Sequence, residues 1–278
     1  MPHPAIARDK AAVITGAASG IGKAAASRLA GAGMRVYLLD LPGPALDAAR
    51  AAVAEHASEP DHVVALPCDV SDEAEMRRAA QRVAAVSTAP SFLMNNAVTR
   101  VGGGIWNPSA DWHRAVEVNL WGVINGVRCF VPSMIEAGAR AHVVTVGSKQ
   151  GITNPPGNTA YNVTKAAVKA YTEGLQHDLR NTPGCRVSAH LLIPGWTTTG
   201  DREHKPGAWL PEQVVDHMLT GLEAGDFYIL CPDNETTTEM DRKRILWAAG
   251  DITENRSPLS RWDPAYKDAF DAFDAFEP

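Results

Sequence analysis

Short unbroken apolar runs alternate along the chain with longer stretches in which apolar residues return every three or four positions. The runs at residues 11–14, 34–39, 62–66, 92–94, 141–146, 187–193 and 227–230 lack every-second-residue polarity, and each reads as a strand buried on both faces. Between them, residues 23–32, alanine-rich 44–57, the stretch opening at Ser71-Asp72-Glu73-Ala74-Glu75, and residues 111–137 and 160–175 read as helices. Strands and helices in this alternation predict an α/β fold: one open, mainly parallel sheet with helices on both faces and a crevice along its carboxyl edge. No linker-like, repeated or low-complexity segment interrupts it, so residues 1–278 are expected to form a single domain, with a core at about 11–230 and an extension at about 231–278.

Polar candidates collect where the strands end. After the first strand, Thr15-Gly16-Ala17-Ala18-Ser19-Gly20-Ile21-Gly22 runs into a helix, an arrangement that turns free backbone N–H groups toward a phosphate. Gly16 permits the tight turn, and Gly20 and Gly22 leave room for backbone or cofactor where a Cβ would clash. The second strand ends at Asp40-Leu41, about 20 positions on, where a carboxylate accepts hydrogen bonds from an adenosine ribose and repels a 2′-phosphate. That favours NAD over NADP, and a helix-capping role for Asp40 competes with it. Asp69 and Val70 lie at the third strand's end, beside an expected adenine edge, and Asn95-Asn96-Ala97 closes the fourth. Pro194-Gly195-Trp196-Thr197-Thr198-Thr199 makes a turn after the sixth run, with hydroxyls able to bond a carboxamide.

One constellation carries proton chemistry. Tyr161 and Lys165 stand four residues apart on one helical face, and Ser148 follows the strand at 141–146. A nearby ammonium favours the phenolate, so Lys165 is expected to lower the Tyr161 pKa, with Ser148 bonding the oxygen whose proton Tyr161 takes. Tyr-x-x-x-Lys alone is also a common surface pair. Asn119, in the middle of a predicted helix, points to a local irregularity or a polar task.

A net charge of −6 leaves no basic footprint for nucleic acid, and no apolar run approaches membrane-spanning length. Cys68, Cys129, Cys185 and Cys231 are far apart and read as buried, reduced thiols of a cytoplasmic protein. His3, His56 and His62 show no ligand spacing, and no metal site is expected.

With these residues placed, the sequence resembles the short-chain dehydrogenase/reductase family from about residue 11 to 230. The family's T-G-x-x-x-G-x-G falls at Thr15 to Gly22, its N-N-A-G at residues 95–98, and its Ser, Y-x-x-x-K and P-G at Ser148, Tyr161/Lys165 and Pro194/Gly195. The resemblance implies a Rossmann-like, doubly wound sheet of seven strands and an Asn119-Ser148-Tyr161-Lys165 tetrad in which Asn119 positions a water linking Lys165 to solvent. It implies NAD held along Gly16, Ser19, Gly20, Ile21, Gly22, Asp40, Leu41, Asp69, Val70, Asn96, Ala97, Tyr161, Lys165, Pro194, Gly195, Thr197 and Thr199. The reaction implied is hydride transfer between a secondary alcohol or ketone and NAD(H), in a homodimer or homotetramer built on residues 111–137 and 160–180. An NADPH-dependent carbonyl reductase is the alternative enzyme, and a dinucleotide-binding sensor without chemistry the alternative from another class. Val98 replaces the family's last motif glycine, and Gly147 a residue that is often serine.

Substrate contacts are expected from Gln150, Trp196 and Trp209. For the tryptophans lid packing competes, and for Lys149 a substrate carboxylate competes with a solvated surface position. Beyond the core, residues 240–249 read as helix, and Trp262, Tyr266, Phe270 and Phe273 recur as one aromatic helical face that needs covering. It packs on its own domain, covers the pocket or clasps a second subunit.

Overall fold

The computed structural model describes residues 4–87, 89–200 and 202–275. Seven parallel strands, β1 (Ala11–Thr15), β2 (Arg35–Asp40), β3 (Val63–Pro67), β4 (Pro90–Asn95), β5 (Ala141–Val146), β6 (Val187–Ile193) and β7 (Tyr228–Leu230), form one sheet in the order β3-β2-β1-β4-β5-β6-β7. The order reverses between β1 and β4, where loops leaving the carboxyl edge diverge and open a crevice. β1, β4 and β5 are buried along their whole length, which is why they read as unbroken apolar runs.

Alternate strand residues feed two cores. Ala12, Ile14, Val36, Leu38, Met94 and Val144 pack under α1 (Gly20–Gly31), α2 (Pro44–Ala54) and α8 (Pro211–Ala224). Val13, Tyr37, Leu39, Leu93 and Val143 face α3 (Glu73–Ala84), α5 (Gly122–Glu136) and α7 (Thr159–Asn181) on the other side. The sheet is thus doubly wound, with the Rossmann-like topology expected. Helix α3 starts where its acidic opening predicts, with the Asp72 carboxylate accepting from the Ala74 and Glu75 N–H groups.

The stretch at 111–137 runs as α4 (Ser109–Val116), a π-helical turn at Glu117–Trp121, and α5. The irregularity anticipated from Asn119 is that turn. A single helical turn, α6 (Gln150–Thr153), joins β5 to α7. Among the described residues no helix is long and apolar enough to cross a membrane. Cys68 and Cys231 are buried as expected, whereas Cys129 and Cys185 are only half-buried, and all four thiols are free.

The aromatic segment departs from the expected single helix. After α9 (Thr238–Thr253) the chain makes two 3-10 turns, Ser260–Trp262 and Pro264–Tyr266, before the short α10 (Lys267–Ala272). Pro264 has no N–H to donate and restricts the residue before it, so the pattern cannot continue through it. Phe270 and Phe273 instead fold back onto α9, edge-on to buried Trp247 at 5.3 and 5.4 Å between ring centroids. Trp247 Nε1 donates to Ser260 Oγ at 2.8 Å, so the cluster covers itself.

Candidate active site

The carboxyl edge holds a cleft of about 900 Å³, near the top of the range of roughly 300–1,000 Å³ for small-molecule sites. At one end lie Asp40, Leu41, Asp69 and Val70; Gly16, Ser19, Gly20, Ile21, Asn96 and Ala97 follow; Ser148, Gln150, Tyr161, Lys165 and Pro194 to Thr197 lie beyond, with Thr199. The glycine turn is tied down from two sides. Asn96 donates its amide to the Thr15 and Gly16 carbonyls at 2.9 and 3.0 Å, and Thr15 Oγ1 accepts from the Asn96 and Ala97 N–H groups. Asp40 accepts from Ala18 N through Oδ2 and from Leu41 N through Oδ1, both at 2.8 Å. The carboxylate is therefore fixed at the cleft's edge, with lone pairs left for further donors. Arg35 stands at the opposite end of β2, as the strand direction requires.

Gly16 adopts φ +65°, a left-handed conformation that suits glycine, and a Cβ there would lie 2.7 Å from Ala97 Cα. Of the two expectations for Gly22, room for backbone and room for cofactor, the first is met: it does not line the cleft, and a Cβ there would fall 2.3 Å from the Gly16 carbonyl oxygen and 2.5 Å from Asn96 Nδ2. It makes room for the turn itself, not for a ligand.

Ser148, Tyr161 and Lys165 meet in the cleft wall. The Ser148 hydroxyl lies close enough to the Tyr161 phenol to pull its pKa down, and it accepts from Gln150 N at 3.2 Å. Lys165 is buried, and its Nζ donates to the Val146 carbonyl at 2.7 Å while lying 5.7 Å from the Tyr161 ring centre. The electrostatics differ from the expectation that Lys165 acidifies the phenol. Burial pushes the Tyr161 pKa up, against smaller downward pulls from Ser148 and Arg100. Burial, then Arg100, brings Lys165 down to about 7. A desolvated amine half-shed of its proton has little charge to lend.

Asn119 fixes a loop beside the cleft. It is fully buried and does not line the cleft; its Oδ1 accepts from Thr99 N at 2.8 Å, and its Nδ2 donates to the Thr99 carbonyl at 3.0 Å and to Thr164 Oγ1 at 3.1 Å. These bonds pin the loop after Asn96-Ala97 onto α7, three residues past Tyr161. Val98 projects into the cleft from that loop, half-exposed. Asp69 accepts from the Ser71 N–H and hydroxyl, and these bonds, with Arg114, hold its pKa below the usual carboxylate value despite partial burial.

Over residues 10–206 the sequence matches the family described as short chain dehydrogenase. The chain belongs to the short-chain dehydrogenase family. Relatives of this chain include the 1-deoxy-11-beta-hydroxypentalenate dehydrogenase of Streptomyces avermitilis, 35% identical over 85% of this chain and 89% of the relative. The 2-dehydro-3-deoxy-L-rhamnonate dehydrogenase (NAD(+)) of a Sphingomonas species is 33% identical over 78% of this chain and 81% of its own. A short-chain dehydrogenase/reductase from Burkholderia phymatum, solved in complex with NAD, superposes with a TM-score of 0.81 at 30% identity, over 90% of this chain and 96% of the other. The chain is accordingly an oxidoreductase of that family.

Past the catalytic motifs, Trp209 takes the packing role that competed with a substrate contact. Trp209 does not line the cleft: it packs against the core under α8, edge-on to His217 at 5.7 Å, while its backbone pairs with Trp196 and Thr198. Trp196 does line it, half-exposed, with Lys205 Nζ 5.8 Å from its ring centre. Lys149 lines the cleft, not as a solvated surface cation but as one already paired. Its Nζ lies 2.6 Å from Asp241 and 3.5 Å from Asp233, and the three side chains are largely buried.

The sequence reading passed over Arg100, Thr236 and Arg244, all of which line the cleft. Asp241 and Arg244 sit three apart on the predicted helix, the one available signal, but the pattern does not say which face meets the pocket. Outside the cleft, Asp9, Glu59 and His62 converge within 4.8 Å. Glu59 already bonds His62 at 2.9 Å and lies 3.7 Å from Arg8, so the group closes as a surface ion-pair cluster. His3 lies outside the described residues.

Proposed function

We propose that this protein is an NAD-dependent oxidoreductase that interconverts a secondary alcohol and its ketone, with Tyr161 exchanging the proton. The observation that carries the reading is the contact between the Tyr161 phenol and the Ser148 hydroxyl, beside buried Lys165, in the same cleft as the Gly16–Gly20 turn and Asp40. The cofactor end fits a dinucleotide: backbone N–H groups at the start of α1 suit a pyrophosphate, and the carboxylate fixed at Asp40 suits ribose hydroxyls while opposing a 2′-phosphate. A bound nicotinamide dinucleotide supplies the hydride and, when oxidised, a positively charged ring.

The chain's own groups divide the remaining work. With its pKa raised, Tyr161 holds its proton at neutral pH and is poised to give it to a ketone oxygen. Ser148, accepting from Gln150 N, is left to donate its own hydrogen to the substrate oxygen or the phenol. Lys165, in the cleft lining, would hold a ribose hydroxyl of the bound cofactor, and its change of charge near neutral pH suits it to pass a proton onward. Asn119 is a positioning residue that holds the loop against α7.

We read residues 1–278 as one domain whose extension completes the pocket, in a cytoplasmic homo-oligomer. Half-exposed Trp121 and Val163, on the π turn and on α7, support the assembly, and the four free thiols the compartment. Incubating the protein with NAD and a panel of secondary alcohols, following the absorbance of reduced cofactor, tests the reading. Reduction of NAD by at least one alcohol is expected; reduction of NADP alone would overturn the cofactor assignment.

A further inference from the structure

The extension does more than cover itself. Helix α9 brings Arg244 to the substrate end of the cleft, one turn after buried Asp241 and in the same lining as Trp196 and the residues following Ser148. Lys149, immediately after Ser148, is drawn into this wall by Asp241 and Asp233.

The two carboxylates are already committed. Asp233 Oδ2 accepts from Trp196 N at 3.0 Å and faces Lys149, while Oδ1 accepts from Glu235 N at 3.1 Å and Thr236 N at 2.7 Å. Asp241 meets Lys149 at 2.6 Å. Arg244 is differently placed. Its only hydrogen bond among the described residues is from Nη1 to Thr236 Oγ1 at 3.2 Å, and it has no ion pair there. Its Nε is buried and meets no acceptor. A guanidinium presents five donors, and leaving a buried one unmet is costly.

The charge around it does not balance either. Arg261 is close enough to Arg244 for that charge to help lower its pKa, after burial, to about 10. Among the described residues, the carboxylates that pair with Lys149 or act on Arg244 and Arg261 are Asp233 and Asp241. Exposed Arg100 adds a further cation at the cleft, near enough to act on both Tyr161 and Lys165. A pocket wall with surplus positive charge, and a guanidinium lining it that spends one hydrogen bond on Thr236, is suited to an anion.

We propose that Arg244 is the specificity-determining residue of the substrate pocket and that the alcohol or ketone carries a carboxylate, which Arg244 binds while Ser148 and Tyr161 hold the reacting oxygen. This rests on the oxidoreductase reading for the identity of the reacting oxygen, but anion recognition by Arg244 can be measured without turnover. Arg and carboxylate match as planar groups able to form two parallel hydrogen bonds, and Lys, a point charge, reproduces only the charge. The extension thereby sets substrate choice from outside the segment that carries the proton chemistry.

The test is calorimetric titration of the NADH-loaded full chain with mandelate, 3-hydroxy-3-phenylpropionate and 4-hydroxy-4-phenylbutyrate, each against its uncharged primary amide. At least one acid should bind wild type about 10- to 100-fold more tightly than its amide, the range of a charge-assisted hydrogen bond. Arg244→Met should collapse that ratio toward one, and Arg244→Lys should keep part of it; NADH titration verifies that each variant is folded. Equal binding of acid and amide, no binding of any acid, or a ratio untouched in Arg244→Met would overturn the proposal. Acid preference that depends on Arg244, without oxidation of any probe by NAD, would uphold it and count against the oxidoreductase reading. Oxidation of the panel with no acid preference would do the reverse.

Discussion

Replacing Lys165 by Met should change how stability depends on pH. The amine is buried and titrates at about 7 in the folded protein, against a usual value of 10.5, because burial and then Arg100 disfavour its charge. Between those values the unfolded chain binds a proton that the folded protein has shed, so unfolding free energy rises with pH by up to ~1.4 kcal/mol per unit. From pH 7 to 9.5 the rise is about 3 kcal/mol, an upper figure because water entering the cleft weakens the desolvation. Below the folded value both states are charged and the contribution is flat. Lys165→Met keeps a long apolar stem and deletes the titration. The buried thiols of Cys68 and Cys231, both pushed up to about 12, erode stability above their usual pKa of 9.0 in either protein, so the difference between the two isolates the lysine. Urea unfolding followed by circular dichroism at several pH values, with the denaturant slope held common, reads that difference. It should move in favour of wild type by about 3 kcal/mol across the interval. Parallel profiles would refute the placement of a neutralising lysine beneath Tyr161.

Two other substitutions probe the neighbouring parts. Asp40→Ala should weaken NAD binding by roughly 10- to 100-fold, from the lost hydrogen bonds to a charged acceptor, and NADP binding by much less; equal loss for both, measured by fluorescence titration, would remove Asp40 from cofactor choice. Asn119→Ala strands the Thr99 N–H and carbonyl inside the protein and should cost about 3 kcal/mol in urea unfolding, whereas a loss below ~0.5 kcal/mol, the scale of an ordinary surface change, would contradict its positioning role.

The layout of strands and helices was legible because parallel strands buried on both faces leave unbroken apolar runs; the run at residues 187–193 has the same bounds as β6. The Gly16 turn, Asp40, Ser148, Tyr161 and Lys165 were legible because each ends or begins a regular element, where sequence position alone assigns a cleft edge. What escaped depends on contacts between distant segments. Lys149 looked like a surface cation because its partners, Asp233 and Asp241, lie in the extension. Trp196 and Trp209 were indistinguishable as letters, yet one faces the cleft and the other the core. The Tyr161 pKa went up where spacing suggested down, since spacing reports a charge nearby but not the burial that strips it. In the aromatic segment the three- and four-residue steps were real, but Pro264 broke the helix that would have made them one face.

The account stands or falls on proton exchange at Tyr161. Tyr161→Phe removes a single oxygen from a site whose ring packing and cofactor edge remain, so NADH affinity should hold while kcat falls by about 10²- to 10⁴-fold, the usual contribution of a general acid. The measurement is the single-turnover rate of hydride transfer in wild type and Tyr161→Phe, at saturating cofactor, with an alcohol from the active panel. A loss of that size is predicted; a rate within a few-fold of wild type would contradict the assignment.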